Sequence, residues 1–391
     1  MSPVLWLPLA TLVLALPLAS EARAQTLTKL PMPQSFRANE LRVQWETDAN
    51  PIGTVHALDF GLSSPVESSV LAQETIALAA DRFLHRAVAT ALEPGTSYVY
   101  RVRSGAIASA AYPFRTAPLG DASFRMAWIS DNQNQAGTSF LSVLDRIVPF
   151  APDAIGHAGD SVQDGSLLTD WQTQYFDPLA AAQNLGQRTP VLVARGNHDA
   201  GSPPAFAYHW LPGNGRWYAE TIGRVRFVFL ASILVSAAQD DFLRAELASP
   251  ASQNADFRVV VFHHPPYTNL WDQPGYDGEP YQRNIWVPIL EQYGVDLVIN
   301  GHAHCYERGT QNGVTYTVVG GAGGALDTVP ISPGWPFIEV ARSVHHFAIL
   351  DVSPGRLVWT AYDLSGAEID AFELEQVSPE IPVFPTGAKP W

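Results

Sequence analysis

From about Thr26 to Thr116, apolar and polar positions alternate in short runs separated by turn residues. Leu41-Arg42-Val43-Gln44-Trp45 is one such run, and Ser97-Tyr98-Val99-Tyr100-Arg101-Val102, behind the turn pair Pro94-Gly95, is another. A period of two sends successive side chains to opposite faces of a strand, and strands at this spacing without helical stretches predict a β-sandwich. Its aromatic residues read as core. Around Pro118-Leu119-Gly120 the pattern changes. Phe124 to Ile129 reads as a strand, and Ser139 to Phe150 has the spacing of an amphipathic helix. Apolar runs recur at 190–194, 226–230, 258–262 and 296–299, with helical patterns at 239–247 and 285–293 between them. Strands alternating with helices predict a layered α/β domain. Segments 346–352, 357–362 and 368–375 return to strands, with turns at Pro354-Gly355 and Ser365-Gly366, and are expected to close the sheet system.

The ends carry different signals. Val4 to Leu18 is almost wholly apolar and is followed by Ala22-Arg23-Ala24, so residues 1–24 read as a secretory signal peptide cleaved near Ala24, although no Lys or Arg precedes the apolar run. That stretch is short for a membrane span, and no later one is long enough. The Pro-rich tail 378–391 reads as irregular. The expected organisation is therefore a signal at 1–24, a β-sandwich at 25–118, an α/β domain at 119–377 and the tail, in a secreted or periplasmic protein with no membrane association once the signal is removed.

Composition narrows the function. With a formal net charge of −15 and no run of Lys or Arg, a nucleic-acid-binding surface is not expected. Cys305 is the only cysteine, which excludes an intramolecular disulfide and a cysteine-rich zinc site. Nothing in the sequence fixes an oligomeric state.

Five short clusters hold the candidate chemistry: Asp131-Asn132-Gln133, Gly159-Asp160, Gly196-Asn197-His198-Asp199, His263-His264-Pro265 and Gly301-His302-Ala303-His304. Most follow an apolar run, so their carboxylate, amide and imidazole groups can converge on one edge of a sheet. Singly, Asp131 could cap a helix, Gly159-Asp160 could be a turn, and His263-His264 a loop. Gly196 to Asp199 serves no obvious structural purpose. His302 and His304, two apart in an extended segment, aim at the same face.

In order and spacing these clusters resemble the metallophosphoesterase superfamily, and specifically purple acid phosphatases, whose motifs run D-x-G, G-D-x-x-Y, G-N-H-[ED], V-x-x-H and G-H-x-H. The segment from Leu92 through Tyr98 to Pro118 resembles the fibronectin type III-like module that commonly precedes that domain. The resemblance implies an α/β fold, a layered β-sandwich flanked by helices, behind an all-β module. It implies two divalent metal ions, with Fe, Zn and Mn all compatible with mixed oxygen and imidazole ligands. Asp160 would bridge the ions; Asp131 and His304 would hold one, and Asn197, His263 and His302 the other. Choosing His263 rests on the register of Val260-Val261-Phe262-His263, leaving His264 as a substrate-facing residue.

The remaining roles follow from the same resemblance. His198 would stabilise the transition state or protonate the leaving oxygen, with Asp199 orienting it near the substrate. His157 is a supporting or a core residue, and Arg195 and Arg308 either contact phosphate or make structural ion pairs. Two departures matter. Gln163 replaces the tyrosine of G-D-x-x-Y, which removes the phenolate behind a purple colour. Gln133 stands where related enzymes often carry a histidine ligand, and could coordinate through its amide oxygen. The implied activity is hydrolysis of small phosphomonoesters by in-line attack of activated water. A phosphodiesterase or nucleotide hydrolase on the same core is the alternative, and a non-catalytic binding protein a remoter one. The aromatic segment Tyr267 to Arg283 is expected to border the substrate.

Overall fold

The computed structural model describes residues 25–133, 139–199 and 201–376; the expected signal peptide and tail lie outside them. An all-β domain comes first. One of its sheets joins Leu27–Pro33, Glu40–Thr47, Arg82–Thr90 and Glu74–Ala79, and the facing one is built on His56–Gly61 and Ser97–Ser104. The alternation of Ser97 to Ser104 is visible in its burial: Tyr98, Tyr100 and Val102 enter the core with Leu41, Val43 and Trp45, while Val99 and Arg101 are only half-buried.

The second domain is α/β. In its first sheet Phe124–Ile129, Ala154–His157 and Val191–Val193 run parallel, and His346–Ser353, Arg356–Asp363 and Glu368–Glu375 extend it antiparallel from Phe124–Ile129. The closing strands thus complete this sheet. In the second sheet Val225–Phe229, Phe257–Val261, Leu297–Asn300 and Val314–Val319 are parallel neighbours.

The two sheets pack face to face, and the apolar runs are continuous because both of their faces are covered. Met126, Trp128, Val259, Val261, Leu297 and Ile299 fill the layer between the sheets. Their strand neighbours turn outward: Ala127 and Ile129 meet the helix Ser139–Ile147 on one side, and Val260, Phe262 and Val298 meet Ala237–Leu247 and Val287–Gln292 on the other. Trp128 fits because its cross-strand neighbour is Gly156, where a Cβ would lie 2.3 Å from the indole ring. Truncating such a fully buried Trp to Ala costs about 3–5 kcal/mol.

The all-β domain is clamped to the α/β layers through buried polar contacts. Glu46, paired with Lys29 at 2.9 Å, accepts the Tyr208 hydroxyl at 2.6 Å, and Arg86 donates to the Ala207 carbonyl at 2.7 Å.

Parallel strands end on a common edge, and loops leaving that edge are where ligands bind in α/β folds. Here the edges of both sheets contribute. Asp131, Asp160 and Asn197 follow strands of the first sheet; His263, His302 and His304 follow strands of the second. The expectation of a single sheet edge is corrected: each sheet alone supplies only part of the set.

Candidate metal centre

Asp131, Asp160, Asn197, His263, His302 and His304 converge from five loop ends at the junction of the sheets. His263 lies at the middle. Its Nε2 is 3.1 Å from Asp160 Oδ2, 3.1 Å from Asn197 Oδ1 and 3.9 Å from Asp131 Oδ1. Its other nitrogen, Nδ1, is 2.9 Å from the Ala158 carbonyl. A carbonyl only accepts, so Nδ1 carries hydrogen and Nε2 faces oxygens that are themselves acceptors. The arrangement is stable only with a cation, a proton or a metal, among those atoms.

The same device recurs at His304. Its Nδ1 donates to the Ala325 carbonyl at 2.5 Å, and its Nε2 faces Asp131 Oδ1 at 3.6 Å. Burial alone would push both histidines down. At His263 the charges of Asp160 and Asp131 override it and raise the imidazole to about 9. At His304 the facing Asp131 carboxylate does the same, again to about 9. Asp160 moves the other way: burial opposes its ionisation, yet His263 and the His198 N–H hold the carboxyl well below its usual range.

The donor set fits metal ions. Asp131 Oδ1 and Gln133 Oε1 are buried without a hydrogen-bond partner, a costly condition that a coordinated cation would relieve. Ligand atoms of Asp131, Asp160 and His263 lie within 4.8 Å of one another, as do those of His263, His264 and His302. Asp131, Asp160, His304 and Gln133 would hold one ion; Asp160, Asn197, His263 and His302 would hold the second. Gln133 Nε2 lies 2.9 Å from His304 Nε2. A cation on that nitrogen would turn the amide over and present Oε1 instead.

The backbone is forced into shape to bring these groups together. Asp131, Asp160 and His302 all have left-handed φ, at 63°, 58° and 71°. Such positions cost on the order of 1–3 kcal/mol each and persist where surrounding contacts fix them. Two carboxylates supply those contacts. Asp131 Oδ2 accepts the His302 N–H at 2.8 Å. Asp199, fully buried, accepts the N–H groups of Asp160, Ser161 and Gly196 at 2.9, 2.8 and 3.0 Å. Close approach explains two motif glycines: a Cβ on Gly196 would sit 2.1 Å from Asp160 Oδ1, and one on Gly301 would sit 2.4 Å from Asp131 Oδ2.

Asp199 therefore departs from its expected role. Both of its oxygens are taken by backbone, and it neither faces substrate nor orients His198. That task falls to Gln163, whose carbonyl accepts from His198 Nδ1 at 2.8 Å while its amide nitrogen sits 3.2 Å from the same atom. The residue that replaces the tyrosine thus faces His198. His264 lies edge to face with His263 and 4.4 Å from His302, ring centre to ring centre, with its Nδ1 on Ser232 Oγ at 2.9 Å. A third imidazole consequently stands beside His263 and His302.

His157 is buried and structural. Its Nε2 meets Asn132 Oδ1 at 2.6 Å and its Nδ1 accepts the Gly159 N–H at 3.1 Å. Arg195 donates to the Gly215 and His209 carbonyls, and Arg308 pairs with Asp370 and Glu339, so neither is turned to phosphate.

One contributor escaped the sequence reading. Asp327 accepts the His304 N–H at 2.8 Å and the Asp272 N–H at 3.1 Å. The available signal was the run Gly320-Gly321-Ala322-Gly323-Gly324 just before it, which passes so close under the site that a Cβ on Gly324 would lie 2.6 Å from the His304 ring.

Comparison with known proteins agrees with this geometry. Residues 124–306 match the calcineurin-like phosphoesterase profile, so the α/β domain is a metallophosphoesterase domain. Residues 32–116 match the purple acid phosphatase N-terminal domain, so the chain joins that domain to a calcineurin-like phosphoesterase domain. Among curated relatives, purple acid phosphatase 15 of Arabidopsis thaliana is 24% identical over 288 residues, covering 61% of this chain and 53% of that protein. The probable inactive purple acid phosphatase 1 of the same plant is 24% identical over 317 residues, covering 65% and 51%. The chain spans about half the length of these relatives. Among solved structures, purple acid phosphatase PPD1 from yellow lupin (Lupinus luteus) seeds superposes with a TM-score of 0.76 at 20% identity, covering 89% of this chain and 73% of that one, a likeness of fold.

Proposed function

We propose that this protein is a dimetal phosphoesterase that hydrolyses small phosphomonoesters. The carrying observation is the pair of carboxylates, Asp131 and Asp160, set among imidazoles whose far nitrogens are tied to carbonyls, with Asp131 Oδ1 and Gln133 Oε1 left without partners. Two divalent cations held there would activate water and neutralise charge on the phosphoryl group.

The chain's own residues do the rest. Asp160 is shared between the two sets, and the Asp199 contacts fix its loop, so the distance between sets is built into the backbone. Backbone carbonyls at Ala158 and Ala325 hold the tautomers that leave Nε2 of His263 and His304 for coordination, the usual way a supporting group orients a histidine ligand. His198 has its Nδ1 occupied by Gln163, which leaves Nε2 to hydrogen-bond the phosphoryl group and, as the imidazolium, to hand a proton to the leaving oxygen.

Metal analysis of the purified protein, combined with hydrolysis of a chromogenic monoester and diester under Mn²⁺, Zn²⁺ and Fe²⁺, tests the reading. Monoester turnover that a chelator abolishes is the expected result. A protein that holds two ions and turns over neither ester overturns it. With Gln163 directed at His198, no purple charge-transfer band is expected in the visible spectrum.

A further inference from the structure

Next to His302 the surface folds into a second feature that the dimetal centre does not account for. Segments 269–277 and 327–333 are pinned to each other. Leu270 pairs with Pro330, the Trp271 N–H donates to the Val329 carbonyl at 3.0 Å, and the Asp272 carboxylate accepts the N–H groups of Thr328 and Val329 at 2.6 and 3.0 Å. Together they line a cavity of about 590 Å³. That lies within the size range of small-molecule pockets.

This cavity is coupled to the metal centre by contacts on both of its segments. The Trp271 ring stacks on His302 with centroids 4.9 Å apart, and the Tyr276 ring meets it edge-on at 5.3 Å. From the opposite segment, Asp327 bonds the His304 and Asp272 backbones at once. The wall that positions two metal ligands is therefore the wall of the cavity.

Its chemistry is selective. Trp271, Tyr276, Pro330 and Ile331 present rings and apolar surface, and the charged residues among its lining are the carboxylates Asp272 and Asp277. The nearby Arg283 is committed to Asp277 and to the Pro266 carbonyl. The Tyr276 hydroxyl is buried without a partner. A buried hydroxyl in that condition is destabilising unless something else satisfies it, and a polar atom on a bound molecule would.

We infer that this cavity receives the leaving group of the phosphoester, and that the group it selects is a planar aromatic carrying no negative charge, an aryl alcohol or a nucleoside. The inference rests on the phosphoesterase reading of the adjoining centre. Ring-on-ring packing against Trp271 and Tyr276 favours a flat group. The two carboxylates disfavour leaving groups that bear further phosphates.

The test compares kcat/KM for phenyl phosphate, a nucleoside 5′-monophosphate and glycerol phosphate in the metal-loaded protein, in Trp271→Ala and in Ile331→Glu, with metal content measured alongside. Ile331 lines the cavity and its N–H is bonded to the Asn269 carbonyl at 2.8 Å, so its variant decides the matter if removing Trp271 loosens the ion held by His302. The ratio of aromatic to glycerol ester is expected to fall about tenfold in each variant, chiefly through KM. Whichever of the two aromatic esters shows the larger fall identifies the preferred group. Binding of the free nucleoside or of phenol to chelator-treated protein, followed by tryptophan fluorescence, should weaken by a similar factor in Ile331→Glu. An unchanged ratio and unchanged binding, in protein that hydrolyses all three esters, overturn the role of the cavity alone. Failure to hydrolyse any ester with two ions bound overturns the phosphoesterase reading and this inference with it.

Discussion

Two buried histidine clusters among the described residues differ in what their ring nitrogens face. In the N-terminal domain His56 and His85 stack face to face with centroids 3.6 Å apart. All four of their ring nitrogens have neutral partners: Ser104 Oγ and Asn50 Oδ1 on His56, Thr47 Oγ1 and Thr75 Oγ1 on His85, at 2.7 to 2.9 Å. In the α/β domain His263, His264 and His302 also pack together, but His263 and nearby His304 face carboxylates. The consequence is opposite in sign. Burial, and then its neighbour His56, pushes His85 down to about 3, while Asp160 and Asp131 raise His263 to about 9. Burial also keeps His264 and His302 low, hence neutral, the form a metal ligand must have. Imidazoles grouped in the interior are thus not in themselves a site; buried carboxylate oxygens left without partners make them one.

The contrast can be broken at its strongest point first. Asp160→Asn removes the shared charge and should lower kcat by about 10³-fold, since metal-assisted charge stabilisation is worth several kcal/mol and a decade of rate costs roughly 1.4 kcal/mol. Steady-state kinetics with metal analysis checks this, and retention of both ions with full activity would contradict it. His198→Ala should lower kcat by about 10²-fold or more while both ions stay bound, because only a proton or hydrogen bond is lost. A fully active variant removes His198 from the mechanism.

Smaller effects come from the supports. Asp327→Asn weakens the hold on His304 and should cost roughly tenfold in metal affinity, read by competition with a chromogenic chelator. Protons compete with the ions too. With His263 and His304 raised to about 9, each imidazole must give up its proton to bind, so affinity falls as the pH drops below that value. Metal titrations at pH 6 and pH 8 give the sign directly.

The N-terminal pair should affect stability and leave catalysis alone. Because the folded His85 pKa lies at about 3, below its unfolded value of about 6.5, the unfolded chain takes up a proton first on acidification. The stability from neutral His85 is complete above about pH 6.5 and is lost progressively down to about pH 3, roughly 2 kcal/mol by pH 5 at about 1.4 kcal/mol per unit. Urea melts of the full chain should show a shallower acid dependence in His85→Gln than in the parent, with unchanged kcat. Identical slopes would show that the stack does not couple to pH.

Much of this was readable in advance. The alternating run at Ser97 to Ser104, the apolar runs ahead of each cluster and the closing strands 346–375 carry periodicities that specify strands, and the structure has strands there. The ligand clusters were readable because Gly-Asn-His-Asp and Gly-His-Ala-His are strings that packing alone does not require. Asp199 misled because its neighbours suggested a partner for His198. A carboxylate among loop N–H groups bonds whichever are nearest in space, and three backbone donors were nearer.

By itself, then, the sequence determined the strands, the order of the ligand clusters and the chemistry of their side chains, since these depend on residue type and short-range period. Only the tertiary structure decided that the ligands come from two sheets, that Gln163 and not Asp199 holds His198, that Asp327 ties His304 to an aromatic cavity, and that one histidine cluster has neutral partners while the other faces carboxylates. Each of those outcomes turns on which groups far apart in the chain are brought within about 3 Å, the range of a hydrogen bond, and no local pattern specifies that.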